Sequence, residues 1–144
     1  MPISNYDVDF YAWTHEQAAL LRAGKLSIAD IENIAEEIES MGRTEKRELI
    51  NRLSVLLLHL LKWKRQPRRR GASWEAPIKV QRLRLAGHLR DNPSLKAKLG
   101  EAIEAAYEVA RVEAAAETGL AETDFPATSP WDFGQIMKDD FWPD

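Results

Sequence analysis

Along this chain apolar residues recur at steps of three and four, and no period-two alternation persists anywhere. The pattern predicts an all-α protein: a helical bundle of about five helices with an irregular C-terminal strap and a short final helix. After the aromatic opening Tyr6 to Trp13, a first helix is expected to run to about Ala23, with Asp7 or Asp9 as N-cap and Gly24 just past its end. Ser27, with Asp30 three residues on, is expected to begin a second helix that buries Ile31, Ile34, Ala35, Ile38 and Met41 and stops or bends at Gly42. A third, from about Thr44 to Gln66, ends before Pro67. Leu49, Leu53, Leu56, Leu60 and Trp63 form its main stripe, while Val55 and Leu58 lie on the opposite side. A helix apolar on most of its circumference belongs at the centre of a bundle.

Ser73 is expected to cap a fourth helix carrying Trp74, Ile78, Leu85 and Leu89, broken by Asn92-Pro93-Ser94. Ser94 then caps an alanine-rich fifth helix through Leu95, Leu99, Ala102, Ile103, Ala106 and Ala110, ended by Gly119. Irregular chain follows, and Ser129-Pro130 is expected to start the short last helix. Its Trp131, Phe133, Ile136, Phe141 and Trp142 are too apolar for a free tail and are expected to strap across the bundle.

The length of 144 residues and a 44% hydrophobic content suffice for one core, so residues 1–144 are read as a single helical domain. The absence of cysteine excludes a disulfide framework, a thiolate zinc site, a cysteine nucleophile and an iron–sulfur cluster. Met1-Pro2-Ile3-Ser4-Asn5 has neither the basic nor the apolar region of a signal peptide. The central apolar run Val55 to Leu58 falls far short of the ~20 residues of a membrane span. A soluble, cytoplasmic protein without membrane contact is therefore expected. The net charge of −3 hides a segregation: residues 1–42 hold eight acids and two bases, residues 43–98 four and sixteen, and residues 99–144 eleven and two. Balances of −6, +12 and −9 point either to partners or to internal neutralisation.

Several groups of segments occur in a specific order: Ile31 to Arg43, then His59-Leu60-Leu61-Lys62-Trp63, Gln66-Pro67, Ser73-Trp74, Gln81-Arg82, Glu117-Thr118-Gly119-Leu120, Phe125-Pro126 and Pro130-Trp131. Together they resemble the bacterial family known as domain of unknown function twenty-nine, over essentially the whole chain. The resemblance implies a small helical protein and carries no assigned chemistry. Ser129 stands where many members of that family have cysteine, and Arg65 where an aromatic is expected.

No phosphate-binding glycine loop, His-Glu-x-x-His arrangement or nucleophile elbow is present. Lys62, Lys64, Arg65, Arg68, Arg69 and Arg70, flanked by Trp63 and Trp74, combine cations for phosphates with flat rings for bases. The competing reading pairs these cations with the acidic ends. On the second helix Glu32, Glu36 and Glu39 form a solvated face, while Asp30, Asn33 and Glu37 border its apolar stripe. His59, Gln81 and His88 border the stripes of their own helices. Bundles build carboxylate–histidine metal sites from such positions. Without a Glu-x-x-His pair, though, a hydrogen-bonded network such as Glu37 with Arg52 or His59 is the expectation, and no metal or cofactor is assigned. Glu113 and Glu117, placed on the core stripe of the fifth helix by a wheel continued from Leu95, require compensation, with Arg68 to Arg70 or Arg82 as the expected partners.

The leading expectation is a non-enzymatic module that binds a protein partner or a second copy of itself. It rests on the missing catalytic signature and on surplus apolar residues such as Val55, Leu58, Val80 and Leu83. Two alternatives stay open: nucleic-acid binding through residues 62–70, and a metal-dependent or acid–base enzyme using Glu37, His59, His88, Glu113 or Glu117.

Overall fold

The computed structural model describes residues 5–144. The signal-peptide reading of Met1 to Ser4 lies outside the described residues. Five α-helices and no strand occur among the described residues: α1 (Phe10–Arg22), α2 (Ile31–Arg65), α3 (Ala72–Asp91), α4 (Leu99–Thr118) and α5 (Phe133–Ile136). The all-α expectation holds. No helix among the described residues is long and apolar enough to cross a membrane.

The expected break at Gly42 does not occur, and α2 runs unbroken through it. A glycine that ends a helix takes a left-handed conformation, as Gly24 (φ +71°) and Gly119 (φ +76°) do, whereas Gly42 does not. A mid-helix glycine costs only about 1 kcal/mol against alanine, which its strong helix-forming neighbours offset. The Thr44 hydroxyl donates to the Ser40 carbonyl (3.0 Å), and the Arg43 guanidinium spans two turns to Glu36 (2.8 Å).

By its contacts the chain divides into two compact units, Met1–Thr44, of which residues 5–44 are described, and Glu45–Asp144. In the first unit α1 starts from Asp9, whose side chain accepts from the Ala12 amide (3.1 Å). Tyr6, Phe10 and Trp13 pack as an aromatic group, with Phe10 stacked on Trp13 at 5.6 Å between centroids. Residues 31–44 of α2 belong to this unit and correct the expected burial. Ile31, Ile38 and Met41 are 49%, 64% and 68% exposed, and Asn33, Ile34, Glu37 and Ser40 are the half-buried positions, with Asp30 just before them also half-buried. The opening segment supplies the reason. Trp13 and Gln17 are buried and Tyr6 partly so, and the Tyr6 hydroxyl, the Trp13 indole N–H and Gln17 Oε1 find their partners on Glu37 and Asp30.

The second unit has its core on the remainder of α2, where Leu49, Leu53, Leu56, Leu57, Leu58, Leu60, Leu61 and Trp63 are buried. The expectation of a surrounded central helix is met here, Leu58 included. Ile78, Leu85 and Leu89 of α3 and Ala102, Ala106, Tyr107, Ala110 and Ala114 of α4 complete the same cluster. α3 starts two residues early, from Gly71 instead of Ser73, and the residues from Pro67 form a 3₁₀ turn, Pro67–Arg69. Pro93–Lys98 is also 3₁₀, so α4 begins at Leu99 rather than beside Ser94. α5 starts from Asp132, not Ser129-Pro130. The Asp132 side chain accepts from the Gln135 amide, and the Gln135 side chain accepts from the Asp132 amide. Phe125, Trp131, Ile136 and Pro143 are buried, as a strap requires.

Candidate functional site

In the first unit, Asp30 immediately precedes α2, and its Oδ2 accepts from the Trp13 indole N–H (3.0 Å) and the Asn33 amide (2.8 Å). Its own backbone N–H donates to Gln17 Oε1 (2.7 Å). The Asn33 and Trp13 donors hold the Asp30 carboxyl below the usual carboxylate range. Glu37 accepts from the Tyr6 hydroxyl, which pushes the Tyr6 pKa up to about 12. The expected network of Glu37 with Arg52 or His59 is replaced by this bond, and Arg52 pairs with Glu48. Asp30, Asn33 and Glu37 are thus structural anchors, and the outer side of the same helix is left with Ile31, Ala35, Ile38 and Met41 exposed.

In the second unit the basic segment is divided. Lys62 Nζ lies 3.5 Å from Glu117 and 5.0 Å from the Trp74 ring centroid. Arg65 lies over the Phe125 ring at 5.7 Å. Arg70 lies over Trp63 and donates from Nε to the Trp63 carbonyl (2.8 Å) and from Nη2 to the Pro143 carbonyl (3.2 Å). Lys64, Arg68 and Arg69 are exposed and have no carboxylate partner among the described residues. A groove of about 290 Å³, lined by Leu61, Phe125, Pro126 and Pro130, opens beside Lys64 and Arg65.

His59, Lys62 and Glu117 come together at the end of α2. Burial first, then Lys62, lowers the His59 pKa from its ordinary 6.5, with Glu117 opposing, so its ring is neutral at neutral pH. His88 is placed elsewhere, with its Nε2 on the Glu45 carbonyl (2.9 Å). Glu113 is exposed, and Glu117 pairs with Lys62 in place of Arg68 to Arg70 or Arg82. Both carboxylates fall on the face that Ala102, Ala106 and Ala110 define, but in the last turns of α4 the buried positions pass to Ala114 and Ala115 and leave Glu113 and Glu117 exposed. Of the candidates for an acid–base or metal centre in the second unit, His59 and Glu117 lie beside Lys62, His88 sits on Glu45 and Glu113 is exposed. No group of three or more His, Asp or Glu side chains able to hold a metal occurs among the described residues.

Arg82 is a buried cation that the sequence reading treats only as an ion-pair partner. Its Nε donates to the Ile136 carbonyl (2.7 Å) and its Nη2 to the Phe141 carbonyl (2.6 Å), with the guanidinium 5.2 Å from the Trp142 centroid. Trp142 in turn packs on Trp63 at 4.7 Å. Burial lowers the Arg82 pKa, against Asp139 and Asp140. The signal was available: Arg82 sits at i+4 from Ile78 and i−3 from Leu85, on the buried stripe of α3.

No curated protein and no solved structure matches this chain. The sequence does match a family model. The model described as domain of unknown function DUF29 matches residues 5–142, nearly the whole chain, and the chain belongs to that family.

Proposed function

We propose that this protein is an interaction module that engages a protein partner through the outward face of α2 within residues 31–42. One observation carries the reading: this stretch turns its polar edge inward, to Tyr6, Trp13 and Gln17, and leaves its apolar stripe to solvent. Scattered exposed apolar residues are ordinary, but an aligned stripe of them on one helix face marks an interaction surface. The Gly42 position fits, because continuity of the helix through it keeps the stripe on one rigid element. Val80 and Leu83 on α3 are also exposed, Leu83 at 74%, in line with Ala76, but this row holds two large apolar residues where the α2 face holds Ile31, Ile38 and Met41.

Site-specific photo-crosslinking in the native host tests this. A photoreactive residue at Ile38 should give discrete protein adducts, and the same residue at the exposed Glu104 of α4 should give none. Absence of adducts from position 38, with the protein folded and abundant, removes the proposal.

A second reading rests on a separate observation. Lys64, at the edge of a groove, and Arg68 and Arg69 remain exposed and present cations that have no carboxylate partner among the described residues. Such a patch suits a polyanion, and nucleic acid is the class proposed, engaged through its phosphates.

A further inference from the structure

The outer stripe of α2 has a size pattern that specifies its occupant. On a wheel of 3.6 residues per turn, Ile31, Ala35, Ile38 and Gly42 fall within about 60° of one another. Their steps are four, three and four, an order that reads the same in both directions, and their sizes alternate large, small, large, small. We propose that the occupant is a second copy of this chain, packed antiparallel on this stripe about a two-fold axis. In that register Ile31 of one copy lies over Gly42 of the other and Ala35 lies over Ile38. Every layer then pairs a large residue with a small one, as closely packed helices require. A parallel pair stacks isoleucine on isoleucine and glycine on glycine, leaving alternate layers swollen and hollow.

A further observation agrees. An alanine at position 42 would be the better helix former by about 1 kcal/mol, and a Cβ built on Gly42 meets nothing within 4 Å, so packing within this chain gives no reason for the glycine. Close approach of a second helix does. The stripe is short compared with a standard interface, so the dimer is expected to dissociate on dilution.

This inference rests on the reading of the α2 face as an interaction surface, and the experiment separates the two. Sedimentation velocity over a concentration series should show a reversible monomer–dimer equilibrium. Ile38→Asp should shift it at least tenfold toward monomer. Gly42→Leu should do the same while leaving helix content and melting temperature unchanged or raised, because the monomer has room for the side chain. The cysteine-free chain permits a direct test of direction. Ile31→Cys and Gly42→Cys proteins, mixed and oxidised, should form the mixed disulfide in preference to either homodimer. A monomer at all concentrations, a dimer indifferent to both substitutions, or predominantly homotypic disulfides overturns the antiparallel pair. If the chain is monomeric while Ile38 still crosslinks to other proteins in the host, the self-pairing falls and the interaction reading stands.

Discussion

Asp30 does more structural work than any other carboxylate in the first unit, because one oxygen serves both the buried Trp13 indole and the Asn33 amide. Those donors favour the ionised form and depress its pKa. A depressed carboxyl contributes stability that is fully present above its unfolded value of about 3.9 and is lost as pH falls through the folded one. The Trp13 environment, followed by fluorescence, should therefore loosen as pH drops below about 4. Asp30→Asn keeps an acceptor oxygen but cannot titrate, so its Trp13 signal should be weaker at neutral pH and flatter across this range. An acid limb identical to that of the unsubstituted protein would falsify the assignment. That Asp30, Asn33 and Glu37 edge the stripe of their helix is legible from spacing alone. Which edge turns inward is not, because it depends on the unpaired polar atoms of Tyr6, Trp13 and Gln17, which lie 13 to 31 residues away along the chain.

The C-terminal strap is an element with little regular structure of its own, since α5 has four residues. Carbonyls in such a segment need donors from elsewhere, and α3 supplies Arg82 for Ile136 and Phe141 while Arg70 serves Pro143. Arg82→Met keeps much of the apolar stem and removes the donors, leaving two carbonyls that must find water or remain unpaired. At about 1–3 kcal/mol for a buried group left unsatisfied, a loss of roughly 2–4 kcal/mol is expected. Near-ultraviolet dichroism of Trp63 and Trp142 should change with it, because Arg82 covers one ring of that pair. A cost under about 0.5 kcal/mol, the level of an ordinary surface change, would show that the strap holds without this anchor. Helices were the most legible feature of the sequence wherever the 3.6-residue period persisted, as in Leu49 to Trp63 and Ala102 to Ala110. The misreadings sit where local geometry changes the phase or fails to interrupt it. In the last turns of α4 the buried side passes to Ala114 and Ala115 and leaves Glu113 and Glu117 exposed, and Gly42 stays helical where a cap was expected.

Across the whole molecule, the segregation of −6, +12 and −9 is only partly resolved by ion pairs. Lys46 and Lys98 share Glu101, Lys62 reaches Glu117, and Arg43 reaches Glu36. The cations that do most for the fold, Arg70 and Arg82, are spent on backbone carbonyls instead of carboxylates. Sequence counts could reveal the imbalance but not this choice, because a carbonyl leaves no mark in a tally of charges. The consequence is quantitative for the nucleic-acid reading. With Lys62, Arg65 and Arg70 held by Glu117, Phe125 and Pro143, three cations of the segment stay free: Lys64, Arg68 and Arg69. Each phosphate neutralised on duplex DNA contributes about 0.9 to the slope of log K against log salt, so binding through these three should fall with a slope no steeper than about −2.7. Arg68→Glu together with Arg69→Glu should abolish it and leave the melting temperature unchanged, since neither side chain has a partner among the described residues. A slope near −5 by fluorescence anisotropy would mean that the internally held cations leave their partners to meet DNA. No binding at 20 mM salt would end the nucleic-acid reading and leave the α2 face as the surface through which this protein acts.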